Sequence, residues 1–313
     1  MENLLQNQEE VRAQRKRLSR VFLCLTAFLC SSFLLQFLLQ FLIFRVLGIK
    51  PGADLSNLSL ILSAIPMYCA AFPLTMRLFC FIPKVQPSRP GRMLPLSALA
   101  VLFCISYCLM IAGNLLGNGL MQAVSYDTPN VVNELVGTAN PLLLLFTTVI
   151  AAPVCEELLL RKLLIDRCIC LGERTAIFLS AFAFGLMHGN LFQFFYAFFL
   201  GGLFAYIYVR TRDVRNTICL HVAVNMTGGL IPALLLKLPA GAAAVYGQSL
   251  FGLVSLFFFL FGLAGFFLNR KHIHLEGQEF ARPFHWDWLR TVFLTPGMLL
   301  FLAMCTLLFV TSM

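Results

Sequence analysis

Long apolar runs recur along the whole chain, separated by short polar segments. Nine stand out, at roughly 21–44, 58–82, 95–117, 140–160, 175–189, 191–209, 216–237, 246–268 and 291–311. A membrane-crossing helix needs about 20 mostly apolar residues, and most of the runs supply that length. The expected fold is therefore all-α: a polytopic transmembrane bundle of about nine spans, or eight. The weak member is the fifth run. At about 15 residues it is short for a full crossing. It either runs on into the sixth through Gly189 and Asn190, bends, or is re-entrant.

The polar segments add an orientation. Arg12, Arg15, Lys16, Arg17 and Arg20 precede the first run, and Lys84, Arg89 and Arg92 follow the second. Arg161, Lys162, Arg167 and Arg174 close the fourth, Arg210, Arg212 and Arg215 the sixth, and Arg270, Lys271, Arg282 and Arg290 the eighth. The segment 118–139 has Asp127 and Glu134 but no Lys or Arg. By the positive-inside rule the N-terminus is cytoplasmic and the C-terminus outside. The Pro-rich loop Pro83–Pro95 is the best internal boundary. It divides a cytoplasmic tail with two accessory spans (1–94) from a core (95–237), and 238–313 hold the C-terminal spans.

Composition agrees. Of 313 residues, 59% are hydrophobic and only 12% charged, against about 25% charged in an ordinary soluble domain. The expected setting is integral and multi-pass, in a bacterial cell membrane, with the lipid bilayer as a partner. The net charge of +9 sits in clusters between apolar runs rather than on one face, which argues against nucleic acid. The first run, Val21–Phe44, is longer than the 7–15 residues of a signal-peptide core and reads as a retained span. Eleven cysteines contain no CxxC pair, so they read as reduced thiols acting as small hydrophobes. His272, His274, His285, Trp286 and Trp288 read as a wetted loop with interfacial Trp anchors rather than a metal site.

Chemistry is sought among ionisable groups inside apolar runs, because retaining one there costs at least a few kcal/mol. Of fourteen acids, only Glu156 and Glu157 qualify. Glu157 and Arg161 are four apart and face each other on a helix. Glu156 points elsewhere and stays open for chemistry. His188 ends one apolar run, and His221 and Asn225 share a helical face on another. A lone histidine in such a span is usually a packing residue; two with an Asn and an unpaired Glu in neighbouring spans are harder to dismiss. Glu can take a proton from water, His can orient that water or protonate a leaving group, and Asn and His can stabilise an oxyanion. Alternatively, Glu156, His188 and His221 hold a zinc ion, since two His and one carboxylate form a catalytic ligand set.

The ordered motifs Glu156-Glu157…Arg161, Phe184…His188 and His221…Asn225 resemble the CPBP family of CAAX proteases and bacteriocin-processing enzymes, also called Abi proteins. The resemblance covers about residues 95–235. It implies an intramembrane endopeptidase acting on a peptide or protein at the membrane, either glutamate-type or metal-dependent. It also implies that Glu156 with His188 activates water and that His221 with Asn225 forms the oxyanion site, with Glu157 and Arg161 in support. There is no His-Glu-x-x-His and no Gly-x-Ser-Gly motif, and the Tyr126-Asp127 pair lies in a polar loop. The rival readings are a proton-coupled transporter and a catalytically silent immunity or scaffold protein of the same fold. The spacings Gly113…Gly117 and Gly185…Gly189 allow close helix approach but specify no dimer.

Overall fold

The computed structural model describes residues 2–46, 48, 55–85, 90–124, 130, 135, 137–275 and 286–312. Arg89, Tyr126, Asp127, Glu134, Arg282, His285 and the side chain of His272 lie outside that description. The described residues form helices and no strand. With no water in a bilayer core, a helix is the element that satisfies every backbone group within its own segment.

The helices are α1 (Glu9–Val46), α2 (Ser56–Cys80), α3 (Leu96–Val124), α4 (Pro141–Leu171) and α5 (Glu173–Met187). They continue with α6 (Leu191–Thr211), α7 (Val214–Leu236), α8 (Ala242–Asn269), α9 (Trp286–Phe293) and α10 (Pro296–Thr311). Seven are long and apolar enough to cross a membrane, and α9 with α10 would make an eighth if that pair, bent by 74°, is one span. The chain is an integral, multi-pass membrane protein. The fifth expected run falls short of the test because α5 has 15 residues, about 22 Å at 1.5 Å per residue against a hydrocarbon core of about 30 Å.

Local chemistry sets the helix starts. Asn140 caps α4, its side chain accepting from Leu142 N at 2.9 Å, with Pro141 in the first turn. Thr295 and Pro296 do the same for α10. A proline lacks the N–H that a first turn leaves unused.

Hydrogen bonds gather the basic segments at one end of the bundle. Val85 N donates to Asp166 O and Arg92 N to Thr211 O. Arg17 reaches Cys170, and Arg15 donates to Leu294 O. Arg210 pairs with Glu173. At the other end, Asn140 N donates to Asn57 Oδ1, and Lys237 Nζ donates to the carbonyls of Thr138 and Ala139.

Helix α4 runs eleven residues past the expected boundary at 160, burying Asp166 and Arg167. Asp166 accepts from Tyr208 Oη at 2.7 Å and pairs with Lys162 Nζ at 2.9 Å. Arg167 donates to the carbonyls of Phe79 and Ile82 at the end of α2, where helical N–H donors run out; Phe79 O also accepts from Ile82 N. The reading of Trp288 as an interfacial anchor is also corrected. It is buried, with Nε1 donating to Thr175 Oγ1 at 2.9 Å, while Trp286 is exposed. Phe178 and Phe293 pack edge-on against its ring.

The turn that places the site is between α5 and α6. Gly189 has φ +67°, a left-handed conformation that costs glycine little. The chain reverses there directly after His188. On α3, Gly113 meets the backbone of Tyr196 so closely that an added Cβ would lie 2.3 Å from Tyr196 Cα. Gly117 does the same against Leu191 O. The small-residue spacing on α3 therefore serves contact with α6 inside one chain.

Reporters inserted after Arg92, Arg212 and Arg270 should all read the same side, the cytoplasmic one by the charge rule. A reporter at Arg212 on the side opposite to Arg92 would contradict the arrangement of α4, α5 and α6.

Candidate active site

Three helices bring the acidic pair and His221 together. Glu157 and Arg161 are fully buried on α4. Arg161 Nη2 donates to Glu157 Oε1 at 3.1 Å, and Nε lies 3.0 Å from Oε2 as an ion contact. Arg161 Nη1 donates to Ser180 Oγ on α5, and Ser180 Oγ donates to Leu160 O. The guanidinium stacks 4.8 Å from the Phe184 ring centre and 5.8 Å from that of Phe204. The charge is thus held by a carboxylate, a hydroxyl and two aromatic faces.

His221 reaches the same pair from α7. Its Nδ1 lies 3.0 Å from Glu157 Oε1, within hydrogen-bond distance, and its Nε2 lies 3.7 Å from Glu156 Oε2. One ring therefore bridges the two adjacent acids. The carboxylates differ in access: the side chain of Glu157 has no exposed surface, whereas Glu156 keeps 29% of its own.

Glu156 and His188 line one cavity of about 100 Å³, walled by Phe28, Phe33, Met67, Tyr68 and Met187 among others. His188 is oriented by a 2.7 Å contact between Nδ1 and Phe184 O, which leaves Nε2 for the site. The Phe184 ring stands between the two histidines, 4.9 Å from one ring centre and 5.6 Å from the other.

Asn225 is one turn beyond His221 but lines a different cavity, of about 240 Å³, with Asn114, Thr148, Gln193 and Tyr196. Its Nδ2 donates to Thr148 O at 2.8 Å. The local chain explains why that carbonyl is open. The N–H of Ala152 goes to Thr147 O, in a stretch of wider, π-type turns, and Pro153 has no N–H to offer. Such wider turns also follow Glu157 and Asn225, over Leu158–Ile165 and Met226–Leu230, and often mark functional segments.

Glu156, Glu157, Arg161 and His221 thus form one connected group. His188 shares a cavity with Glu156, and Asn225 faces a neighbouring cavity. Sequence reading missed Ser180, Tyr68, Tyr196 and the link from His221 to Glu157. The spacing Asn190-x-x-Gln193 was a visible capping signal. The zinc alternative meets a geometric obstacle. Among the described residues no three His, Cys, Asp or Glu side chains group as metal ligands. Glu156, His188 and His221 as they stand do not fit a ready three-ligand site.

A family model described as type II CAAX prenyl endopeptidase, Rce1-like, matches residues 138–227. That segment holds all seven motif residues, from Glu156 to Asn225, and the family is the one the three motifs resemble. Within a polytopic helical bundle the match supports, at a coarse level, an intramembrane protease. No curated protein and no solved structure matches the chain.

Glu157→Gln should lower thermal stability in detergent, because Arg161 then keeps a buried charge without its counter-ion, a loss of about 3–5 kcal/mol. Adding Arg161→Met should recover part of it. If Glu157→Gln melts like wild type, the buried pair does not hold these helices together.

Proposed function

We propose that the chain is an intramembrane endopeptidase that uses a water activated by Glu156 to hydrolyse a peptide bond of a membrane-associated or leader-type substrate. The observation that carries this reading is the bridge from Glu157 through His221 to the partly open Glu156. A base must reach water and also be held still, and Glu156 combines access with a fixed neighbour. Peptides ending in a prenylated CAAX sequence are the first substrates to test, since the matching family is described by them. The apolar cavity at Glu156 suits a substrate that arrives through the bilayer.

Water lies between Glu156 and His188 in this mechanism. Its oxygen attacks the scissile carbonyl carbon while Glu156 takes its proton. The carbonyl oxygen becomes an oxyanion. Asn225 stabilises it with its second amide hydrogen, the first being held by Thr148 O. His221 serves the same charge in its doubly protonated form, giving Nδ1–H to Glu157 and Nε2–H to the oxyanion. The C–N bond then breaks, and the proton held by Glu156 passes to the leaving nitrogen, with His188 Nε2 orienting the water throughout. Glu157 is a positioning residue: it fixes which nitrogen of His221 faces the reacting atoms.

Cleavage of a lipidated peptide by purified protein in detergent tests the class. Glu156→Gln should abolish it with expression intact, because an amide cannot accept the proton. Asn225→Ala should lower kcat by about 10² to 10³-fold with little change in KM, as for loss of one oxyanion donor. Full activity in Glu156→Gln would overturn the assignment of the base. A proton-coupled transporter or a silent protein of this fold would cleave nothing under any of these conditions.

A further inference from the structure

Beyond the motif residues, a chain of amide groups at the start of α6 fixes the polarity of one tyrosine hydroxyl. Asn190 caps the helix: its Oδ1 accepts from the backbone N–H of Gln193 at 2.9 Å. A backbone N–H can only donate, so the oxygen of Asn190 must face it, and Nδ2 must face the other way. That Nδ2 donates to His188 O at 2.9 Å and to Gln193 Oε1 at 2.8 Å. The Gln193 amide is therefore oriented as well. Its Nε2 donates to Tyr196 Oη at 2.7 Å. Tyr196 must accept in that bond, and its own hydroxyl hydrogen is left to donate elsewhere. No acceptor for that hydrogen occurs among the described residues.

Position gives the hydroxyl a use. Tyr196 lines the same cavity as Asn225 and Thr148. Its ring packs edge-on against His188, with centres 5.9 Å apart, and His188 lines the cavity that holds Glu156. Tyr196 thus stands at the junction of the two cavities. Its backbone is clamped by Gly113 of α3, so the side chain starts from a fixed point. A cavity lined by the amides of Asn114, Gln193 and Asn225 and the Tyr196 hydroxyl suits a peptide backbone, which needs both donors and acceptors.

We propose that Tyr196 is a further catalytic residue, donating its hydroxyl hydrogen to the scissile carbonyl oxygen beside Asn225. The proposal rests on the endopeptidase reading of the site. The carbonyl oxygen accepts one bond from Tyr196 and one from Asn225, and both shorten as charge develops on it. No proton leaves Tyr196, so the step adds nothing to the atom balance of hydrolysis. Asn190 and Gln193 act through Tyr196 and are positioning residues.

Tyr196→Phe keeps the ring against His188 and removes only the oxygen. In the peptide-cleavage assay kcat should fall by about 10²-fold with KM nearly unchanged. Wild-type kcat in Tyr196→Phe overturns the proposal while leaving the roles of Glu156 and Asn225 standing. A dead wild type, or a fully active Glu156→Gln, fails the endopeptidase reading itself and is recognised without Tyr196. Should Tyr196→Phe lose both activity and thermal stability, Gln193→Glu decides. A carboxylate at 193 still accepts from Asn190 but turns the next bond round, drawing the Tyr196 hydrogen to itself. At mildly alkaline pH this variant should lose kcat like Tyr196→Phe while keeping its melting temperature. Wild-type kcat in Gln193→Glu then overturns the proposal, since a merely structural bond between the two side chains would survive the reversal.

Discussion

One buried ion pair organises the centre of this bundle. Arg161 and Glu157 have no exposed surface, and an unpaired charge at that depth would be strongly destabilising. Each partner is held in turn by a different helix. Arg161 draws in Ser180 and Phe184 of α5 and Phe204 of α6. Glu157 draws in His221 of α7. A helix face that must satisfy both charges can dock on its neighbours in few ways, so packing and site geometry arise from the same contacts. Glu156, next in the chain, then falls opposite the free nitrogen of His221.

Much of this was legible in the sequence where the physics is local. The pairing of Glu157 with Arg161 follows from helical spacing alone. The different directions of Glu156 and Glu157, about 100° apart around a helix, follow from the same geometry. What was not legible depends on residues far apart in the chain. Nothing near His221 says that it will meet Glu157, 64 positions away. The sequence expectation ends the fourth span near 160 because Lys162, Asp166 and Arg167 follow there as charged residues. Their partners, Tyr208 and the carbonyls ending α2, appear only once the helices are assembled. Trp288 was misplaced for the same reason: its partners Thr175 and Phe178 lie on α5. Pro153 was visible, but its consequence, an open carbonyl at Thr148 for Asn225, required the neighbouring helix.

The short α5 has a functional meaning in this light. Its early end at His188, followed by the turn at Gly189, brings that histidine to the level where α6 begins. Asn190, Gln193 and Tyr196 occupy the next two turns, so one reversal delivers a histidine and a set of amide donors to adjoining cavities. The glycines of α3 keep α6 close at that level. Helices α1 and α2 lie outside the matched segment 138–227, yet Phe28, Phe33, Met67 and Tyr68 wall the cavity of Glu156. The matched segment therefore holds the proposed catalytic groups, and the preceding helices wall the space beside them.

The central claim is that water, with Glu156 as its base, is the nucleophile. The most direct test is a single turnover of purified protein on a peptide substrate in H₂¹⁸O, followed by mass spectrometry of both peptide product and protein. The expected result is one ¹⁸O in the new carboxylate of the N-terminal fragment and none in Glu156. An unlabelled product, with ¹⁸O appearing in the Glu156 carboxylate, would mean that Glu156 attacks the carbonyl itself and would contradict the account.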